Sequence, residues 1–396
     1  MNSIERIAIL EKSISIKTDG HNEQELAKYL KKILKDHNIE SKEIPFATGR
    51  SDLIVSMGQG DRILGLTGHM DTVSVGPLSD WKSNPFVLTD LEGKLFGRGT
   101  SDMKGGLVAL IIALIELKDE GVELDGQIRL IATGGEETGQ VGSSSLLGHH
   151  LISDMDALIV AEPSRLSNPK SGKSTQFAIF AQNGVLDYEV ISKGKSAHSS
   201  IPDLGINAID NLHEYMNQQK KYFDNVAQIN DSVLGKVIPV NSIISGGEQV
   251  NSVPAYAKLI TKVRTTTIVN ANRIISDLED MIMELNRVAD NNLELNVLRQ
   301  LDPVVTSKDS PIIQLVSLYG QAFFKQKIAL ETVAGTTDAA TFISENDQMD
   351  IVQIGPGNDT SHMANEYIGK QDFLDYIDFI KKIIVTYLND SLVKDI

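Results

Sequence analysis

Five short segments of this chain set acids and imidazoles at the point where an apolar run gives way to a turn. In LGLTGHMD (Leu64–Asp71) the run ends with His69 and Asp71 two residues apart. In extended chain such residues project to the same side. An aspartate there can accept the imidazole N–H and leave the other ring nitrogen for a metal. In GRGTSDMKGG (Gly97–Gly106) four glycines flank Asp102 just before a helical pattern, so Asp102 could cap that helix or face a cleft. IATGGEETG (Ile131–Gly139) presents Glu136 and Glu137 side by side. Adjacent side chains point to different sides, so one could bind a cation while the other faces the cleft. Either could also simply meet the positive end of a helix. LIVAEPS places Glu162 after a short apolar run, and GPGNDTSHMANE places His362 in a Gly/Asn-rich loop.

Composition narrows the chemistry. The chain has 396 residues and no cysteine, which removes disulfides, thiolate zinc fingers, iron–sulfur clusters and cysteine nucleophiles. Any metal must be held by His, Asp and Glu. A formal net charge of −16 disfavours binding to phosphate backbones or anionic lipid, so neither nucleic acid nor membrane is the expected partner. The longest apolar stretch, Leu107–Leu117, is about half a membrane span and contains Glu116. Glu5 and Glu11 interrupt the start where a signal peptide needs an apolar region. The expected location is cytoplasmic. Lys104 is followed by Gly105 and Gly106 rather than Ser or Thr, so no phosphate loop is indicated.

The elements that must position these residues follow from periodicity. Helices are expected at Ile4–Ile16, Glu23–His37, Met103–Lys118 and Ser143–Ile152, with strands at Asp52–Met57, Arg62–Thr67, Gln127–Ala132 and Ala157–Ala161. That alternation indicates an α/β layer with a mostly parallel sheet. From Val185 the order becomes strand, helix, strand, strand, helix, strand, ending near Glu294–Leu298, which suits a small α+β domain. After Pro303 the α/β texture returns, with Pro311–Phe324, Ala329–Thr332, Asp350–Gly355 and Phe373–Leu388. The reading is a first part of a catalytic domain at 1–180, an inserted domain at 181–295 and the second part at 296–396.

In an open α/β sheet, ligands gather beyond the carboxyl ends of the strands. Here five such ends carry His69/Asp71, Asp102, Glu136/Glu137, Glu162 and His362. That many carboxylates in one cleft would repel or protonate without a cation, and a pair of divalent metals resolves the conflict.

The motifs GHMDTV, GRGTSDMKGG, GGEETG, AEPS and SHMANE, in this order, resemble those of the co-catalytic zinc amidohydrolase and peptidase family. That family includes acetylornithine deacetylase, succinyl-diaminopimelate desuccinylase, aminoacylase and several di- and carboxypeptidases. The resemblance spans nearly the whole chain. It implies a zinc-exopeptidase-like α/β/α catalytic domain with an inserted ferredoxin-like lid and dimerisation domain. It implies that Asp102 bridges two divalent ions, zinc with Co or Mn as substitutes. His69 and Glu162 would complete one site, and Glu137 and His362 the other. Asp71 would orient His69, and Glu136 would be the general base and acid. In the inserted domain the resemblance assigns His198 (GKSAHSS) to oxyanion stabilisation at the other subunit of a homodimer, and Asn251 and Arg264 to the substrate carboxylate. Gly335, Thr336 and Gly357 would line the pocket. The implied reaction is hydrolysis of the amide of an N-acyl amino acid, of desuccinylase or deacetylase type, with a short peptide as the other substrate class. Desuccinylases commonly read G-T-S-D-G-R-F where this chain reads GTTDAATF, so Ala340 stands at the Arg position. A non-catalytic binding protein of the same fold would lack a ligand or the base, and here all are present. His21, His37, His149, His150 and His213 belong to no matching motif.

Overall fold

The helix Lys104–Asp119 is apolar on every side, and Leu107 through Ile115 are all completely buried. A helix of this kind has no solvent face and must sit inside the protein. It packs against the helices Ser3–Ser15 and Lys370–Asn389 and against the strand Arg50–His69. Its one buried acid, Glu116, accepts from Arg6 Nε and Nη2 at 2.7 Å each and from Lys381 Nζ at 3.0 Å.

The computed structural model describes residues 1–167, 174–288 and 292–389. They divide into two units, one formed by Met1–Phe180, Val305–Glu331 and Thr337–Ile396, the other by Ala181–Val304 with Thr332–Thr336.

The first unit is built on a mixed sheet. Where two strands are expected, Asp52–Met57 and Arg62–Thr67, the chain forms one 20-residue strand, Arg50–His69. Its two halves both pair with Asp125–Thr133. Partners run in opposite order from Leu53↔Ala132 to Gly58↔Gln127 and in step from Ile63↔Gln127 to His69↔Thr133. The chain reverses between them through Gly58 and Gly60, both at positive φ. The second half pairs in parallel with Ala157–Val160, which pairs in parallel with Asp350–Gln353. The three strands therefore end together, which brings His69, Glu162 and the loop after Gln353 to one edge. The expected helix at Ser143–Ile152 is only Val141–Ser145, because Gly148 (φ 79°) and His150 (φ 56°) turn left-handed. A three-stranded sheet of Thr89–Leu91, Lys94–Phe96 and Tyr367–Gly369 joins the segments on either side of Asp102 and His362. Its three-residue strands carry too little periodicity to be read from sequence.

The second unit is a four-stranded antiparallel sheet in the order Ile238–Gly246, Tyr256–Thr265, Gly184–Lys193, Leu293–Leu301, with helices Ala208–Val226 and Ala271–Val288. This is the ferredoxin-like order. Leu186, Tyr188 and Val190 from the central strand pack with Leu212, Tyr215, Ile274 and Leu278 from the helices. The unit runs to Val304 rather than 295, because the fourth strand extends to Leu301.

Among the described residues, no helix is long and apolar enough to cross a membrane.

Candidate metal centre

His69 is the last residue of its strand and is 1% exposed. Its Nε2 lies 3.1 Å from Asp102 Oδ1 and 3.5 Å from Glu162 Oε1. The other oxygen of Asp102, Oδ2, lies 3.2 Å from His362 Nε2, and Glu137 Oε1 lies 2.9 Å from the same nitrogen. One carboxylate thus turns its two oxygens toward two imidazoles, each with a further carboxylate beside it. A tetrahedral ion with bonds of about 2.0 Å needs ligand atoms about 3.3 Å apart, and these four separations bracket that value. The donor set is imidazole and carboxylate only, which suits zinc, manganese or cobalt. The residues therefore fit a pair of divalent ions. Glu136 stands at the same place, and ligand atoms of His69, Glu136 and Glu162 lie within 4.8 Å of one another.

The electrostatics follow from this crowding. Burial opposes a charge on His69, but Glu162, Asp102 and Asp71 outweigh it and hold its pKa well above the ordinary value. Hydrogen bonds to Asp102 and Glu137 raise His362 to about 10. Burial works to raise Asp102, yet bonds from His362 and His69 keep it below the usual carboxylate range. Burial pushes Glu162 well up, with Asp102 adding to the effect. Burial raises Glu136 to about 8; His69 pulls it down, while Asp338, Glu137 and Asp71 push it further up. Such a set is stable only if protons or cations neutralise it.

The segments that carry Asp102, Glu162 and the Glu136–Glu137 pair are each fixed by buried contacts. The turn carrying Asp102 is gripped by the buried carboxylate of Glu366, whose Oε1 accepts the N–H of Ser101 (2.8 Å) and Asp102 (2.9 Å) and whose Oε2 accepts that of Gly99 (3.0 Å). Arg98 Nη1 donates to Glu366 Oε2 at 2.6 Å. The following helix approaches Glu162's strand so closely that a Cβ on Gly106 would meet the Ala161 carbonyl oxygen at 2.1 Å. The glutamate-bearing loop is held at both ends. Asp52 Oδ1 accepts the Gly134 N–H at 2.8 Å, and Asp338 accepts the hydroxyls of Thr133 and Ser143 at 2.5 Å each.

Asp71 departs from its expected position. Its carboxylate lies 3.6 Å from His69 Nδ1, beyond hydrogen-bond range, and it is the Asp71 backbone oxygen that meets this nitrogen at 2.9 Å. The two carboxylate oxygens instead accept the backbone N–H groups of Glu136 and Glu137 at 3.1 Å each. Asp71 still fixes the imidazole, through its main chain, while its side chain fixes the two glutamates.

The candidates of the second unit lie in two places. His198 is exposed, with Nδ1 2.7 Å from Ser200 Oγ. Its segment runs beside that of Asn251, whose carbonyl accepts the Ser199 N–H at 3.0 Å. Arg264 Nη1 donates to the Thr336 hydroxyl at 3.1 Å, next to Gly335. In the first unit, Ala340 is buried, and a Cβ on Gly357 would strike the Ser101 carbonyl oxygen at 2.2 Å. None of the five other histidines joins the cluster formed by the described donors.

Residues 65–386 match the profile of Peptidase family M20/M25/M40. The chain belongs to this family. Its members are metal-dependent enzymes that hydrolyse amide bonds. The M20 chain is 36% identical to a Staphylococcus aureus protein named "Probable succinyl-diaminopimelate desuccinylase", with 98% of each covered. It is 34% identical to a protein of the same name from Staphylococcus epidermidis, covering 97% of this chain and 98% of the relative. An M20 family metallo-carboxypeptidase from Sulfolobus solfataricus shares the fold at a TM-score of 0.79 and 19% identity, covering 98% of this chain and 99% of that one. A Bacillus subtilis protein described as a dinuclear metal binding peptidase from M20 family does so at 0.71 and 15%, with 98% of each covered.

Sequence reasoning assigned no role to Glu366 or Asp338, although both lie inside quoted motifs. Asp52 and Thr341 bond groups distant in the chain, and Gln140, although only four residues from Glu136, lies just outside the quoted motif.

Proposed function

We propose that this M20 enzyme hydrolyses the amide of an N-acyl amino acid with two zinc ions, and that succinyl-diaminopimelate is the leading substrate class. The observation that carries the two-metal reading is the division of Asp102, Oδ1 toward His69 and Oδ2 toward His362. The named relatives support the substrate class. In this reading His69, Glu162 and Asp102 hold one ion, and Asp102, Glu137 and His362 the other. Bound there, divalent ions would polarise the amide carbonyl and lower the pKa of water.

The protein's own groups do the rest. Glu136 carries no ligand duty in this reading; it takes the proton from the attacking water and delivers it to the leaving amine. Its buried, carboxylate-rich surroundings favour its holding that proton between the two steps. Arg264 and Asn251 would receive the substrate carboxylate, the guanidinium fork suiting its geometry. His198 would stabilise the oxyanion, serving the other subunit of a homodimer. Ala340 offers no cation to a succinyl carboxylate, which favours testing acetyl amides and dipeptides beside the succinyl substrate.

The test is a zinc-supplemented panel of N-succinyl-diaminopimelate, N-acetylornithine and short dipeptides, run with wild type and Glu136→Gln. Amine release from one acyl amino acid, lost in Glu136→Gln by about 10²–10⁴-fold with bound zinc unchanged, is the expected result. Release of free amino acids from dipeptides alone would move the enzyme to the peptidase class. Full turnover by Glu136→Gln would remove it as the base.

A further inference from the structure

We infer that Gln140 is a positioning residue for Glu136, holding one carboxylate oxygen so that the other is presented for proton transfer, and that Thr341 fixes the Gln140 amide for this task. The inference rests on the proposed role of Glu136 as general base and adds how that base is held.

The geometry is a relay of side chains within the first unit. Thr341 Oγ1 donates to Gln140 Oε1 at 2.9 Å, and Gln140 Nε2 donates to Glu136 Oε1 at 3.3 Å. Both Gln140 and Thr341 are 2% exposed, so water does not readily replace either contact. An amide has one acceptor end and one donor end. With the acceptor occupied by the Thr341 hydroxyl, the N–H end must face Glu136. Glu136 Oε1 is thereby tied down, and Oε2 is left as the atom that exchanges the proton.

The backbone supplies an independent argument. Gln140 stands at φ 60°, ψ 38°, left-handed. A residue with a Cβ is disfavoured there, and Gly, Asn or Asp enter this region more readily. Gly139 directly before it, at φ 102°, shows that the loop already uses glycine where it needs only the turn. A long amide at the strained position is explained if its side chain is required. The turn itself folds Gln140 back over the glutamate, the N–H groups of Gly139 and Gln140 meeting the Glu136 carbonyl at 3.2 and 3.1 Å. Strain of this kind persists where surrounding structure holds it and concentrates at functional sites.

Thr341 is placed by its own anchor. It lies on the short helix Ala339–Phe342, and Asp338 before that helix bonds Thr133 and Ser143. The helix is thus pinned to the strand Asp125–Thr133 and to the short helix Val141–Ser145 that bracket the glutamate loop.

The experiment compares Gln140→Leu, Thr341→Val, Thr341→Ser and the Gln140→Leu/Thr341→Val double variant with Glu136→Gln, using the fastest substrate of the panel. Gln140→Leu should lower kcat about 30-fold with KM within about 2-fold, the scale set by a misplaced catalytic group. Bound metal and melting temperature should stay near wild type. Thr341→Val should lose about 5-fold, Thr341→Ser should recover wild-type turnover, and the double variant should match Gln140→Leu, because Thr341 acts through Gln140. Crystal structures should show the Glu136 carboxylate turned in Gln140→Leu and unmoved in Thr341→Ser. Wild-type kcat in Gln140→Leu, an unmoved Glu136, additive losses in the double variant, or loss of activity in proportion to lost metal would each overturn the inference. Activity in Glu136→Gln would instead sink the base assignment, whatever Gln140 does.

Discussion

Glu366 Oε1 accepts the backbone N–H of Asp102 at 2.9 Å across 264 residues of sequence. Through this contact the acid that faces both imidazoles is held by its main chain, which leaves its two oxygens free. Replacing Glu366 by Gln removes the charge facing the buried Arg98 and offers a donor where Gly99 and Arg98 need an acceptor. Breaking a buried pair on one side costs about 3–5 kcal/mol. Glu366→Gln should be destabilised by that order in urea unfolding of the chelator-treated protein. It should also bind zinc more weakly in a competition titration. Unchanged stability would show that Arg98 and the loop have other support.

On the two-metal reading, loss of a shared ligand differs from loss of a private one. Asp102→Ala should reduce bound zinc to near none per chain, whereas His362→Ala should retain one ion. Elemental analysis after dialysis against buffered zinc counts them. Equal losses in both variants would contradict the bridging role of Asp102.

Helix propensity and packing make opposite predictions at Gly106. In an ordinary helix Gly→Ala stabilises by about 1 kcal/mol. Here the new Cβ would lie 2.1 Å from the Ala161 carbonyl oxygen, a backbone atom that cannot rotate away. Gly106→Ala should therefore be destabilised by about 2 kcal/mol or more, within the range for overpacking. Because Glu162 follows Ala161, zinc affinity should fall with it. Denaturant melts with and without metal separate the two effects.

The pH dependence of stability should carry the signature of Glu116. Burial alone would raise its pKa, but Arg6 and Lys381 hold it down to about 2, below the ordinary value of about 4.3. A carboxylate with a depressed folded-state pKa contributes stability above its unfolded pKa and loses it as pH falls toward the folded one. The gap between wild type and Glu116→Gln should be roughly 1–3 kcal/mol at pH 7, allowing for solvent screening at the partly accessible Arg6 and Lys381. It should shrink between about pH 4.5 and 2. A gap that is constant across that window would assign the effect to packing instead.

On the homodimer proposal, mixing His198→Ala and Glu136→Gln protomers, each inactive alone, should restore part of the activity. Mixed dimers that form and stay inactive would place His198 outside the reaction.

Residue type and local pattern were enough to read the chemical vocabulary of this protein. The five strand-end motifs put these acids and imidazoles forward as candidates, because strands that alternate with helices converge at their carboxyl ends; the division into ligands and base came only from the family resemblance. The helix Lys104–Asp119 was legible because an unbroken apolar stretch has one stable environment. The inserted strand–helix order was legible because its alternation is regular. Other features were decided only when distant segments met. Whether Asp71 addresses a ring nitrogen or two backbone N–H groups depends on where the Glu136–Glu137 loop arrives, and no pattern around Asp71 encodes that. The same holds for Gln140, whose partners are Glu136 on its own turn and Thr341 201 residues away. Sequence spacing fixes which atoms are available along a strand or helix. Which atoms pair across the fold is set by close packing and by the need to satisfy every buried polar group at once.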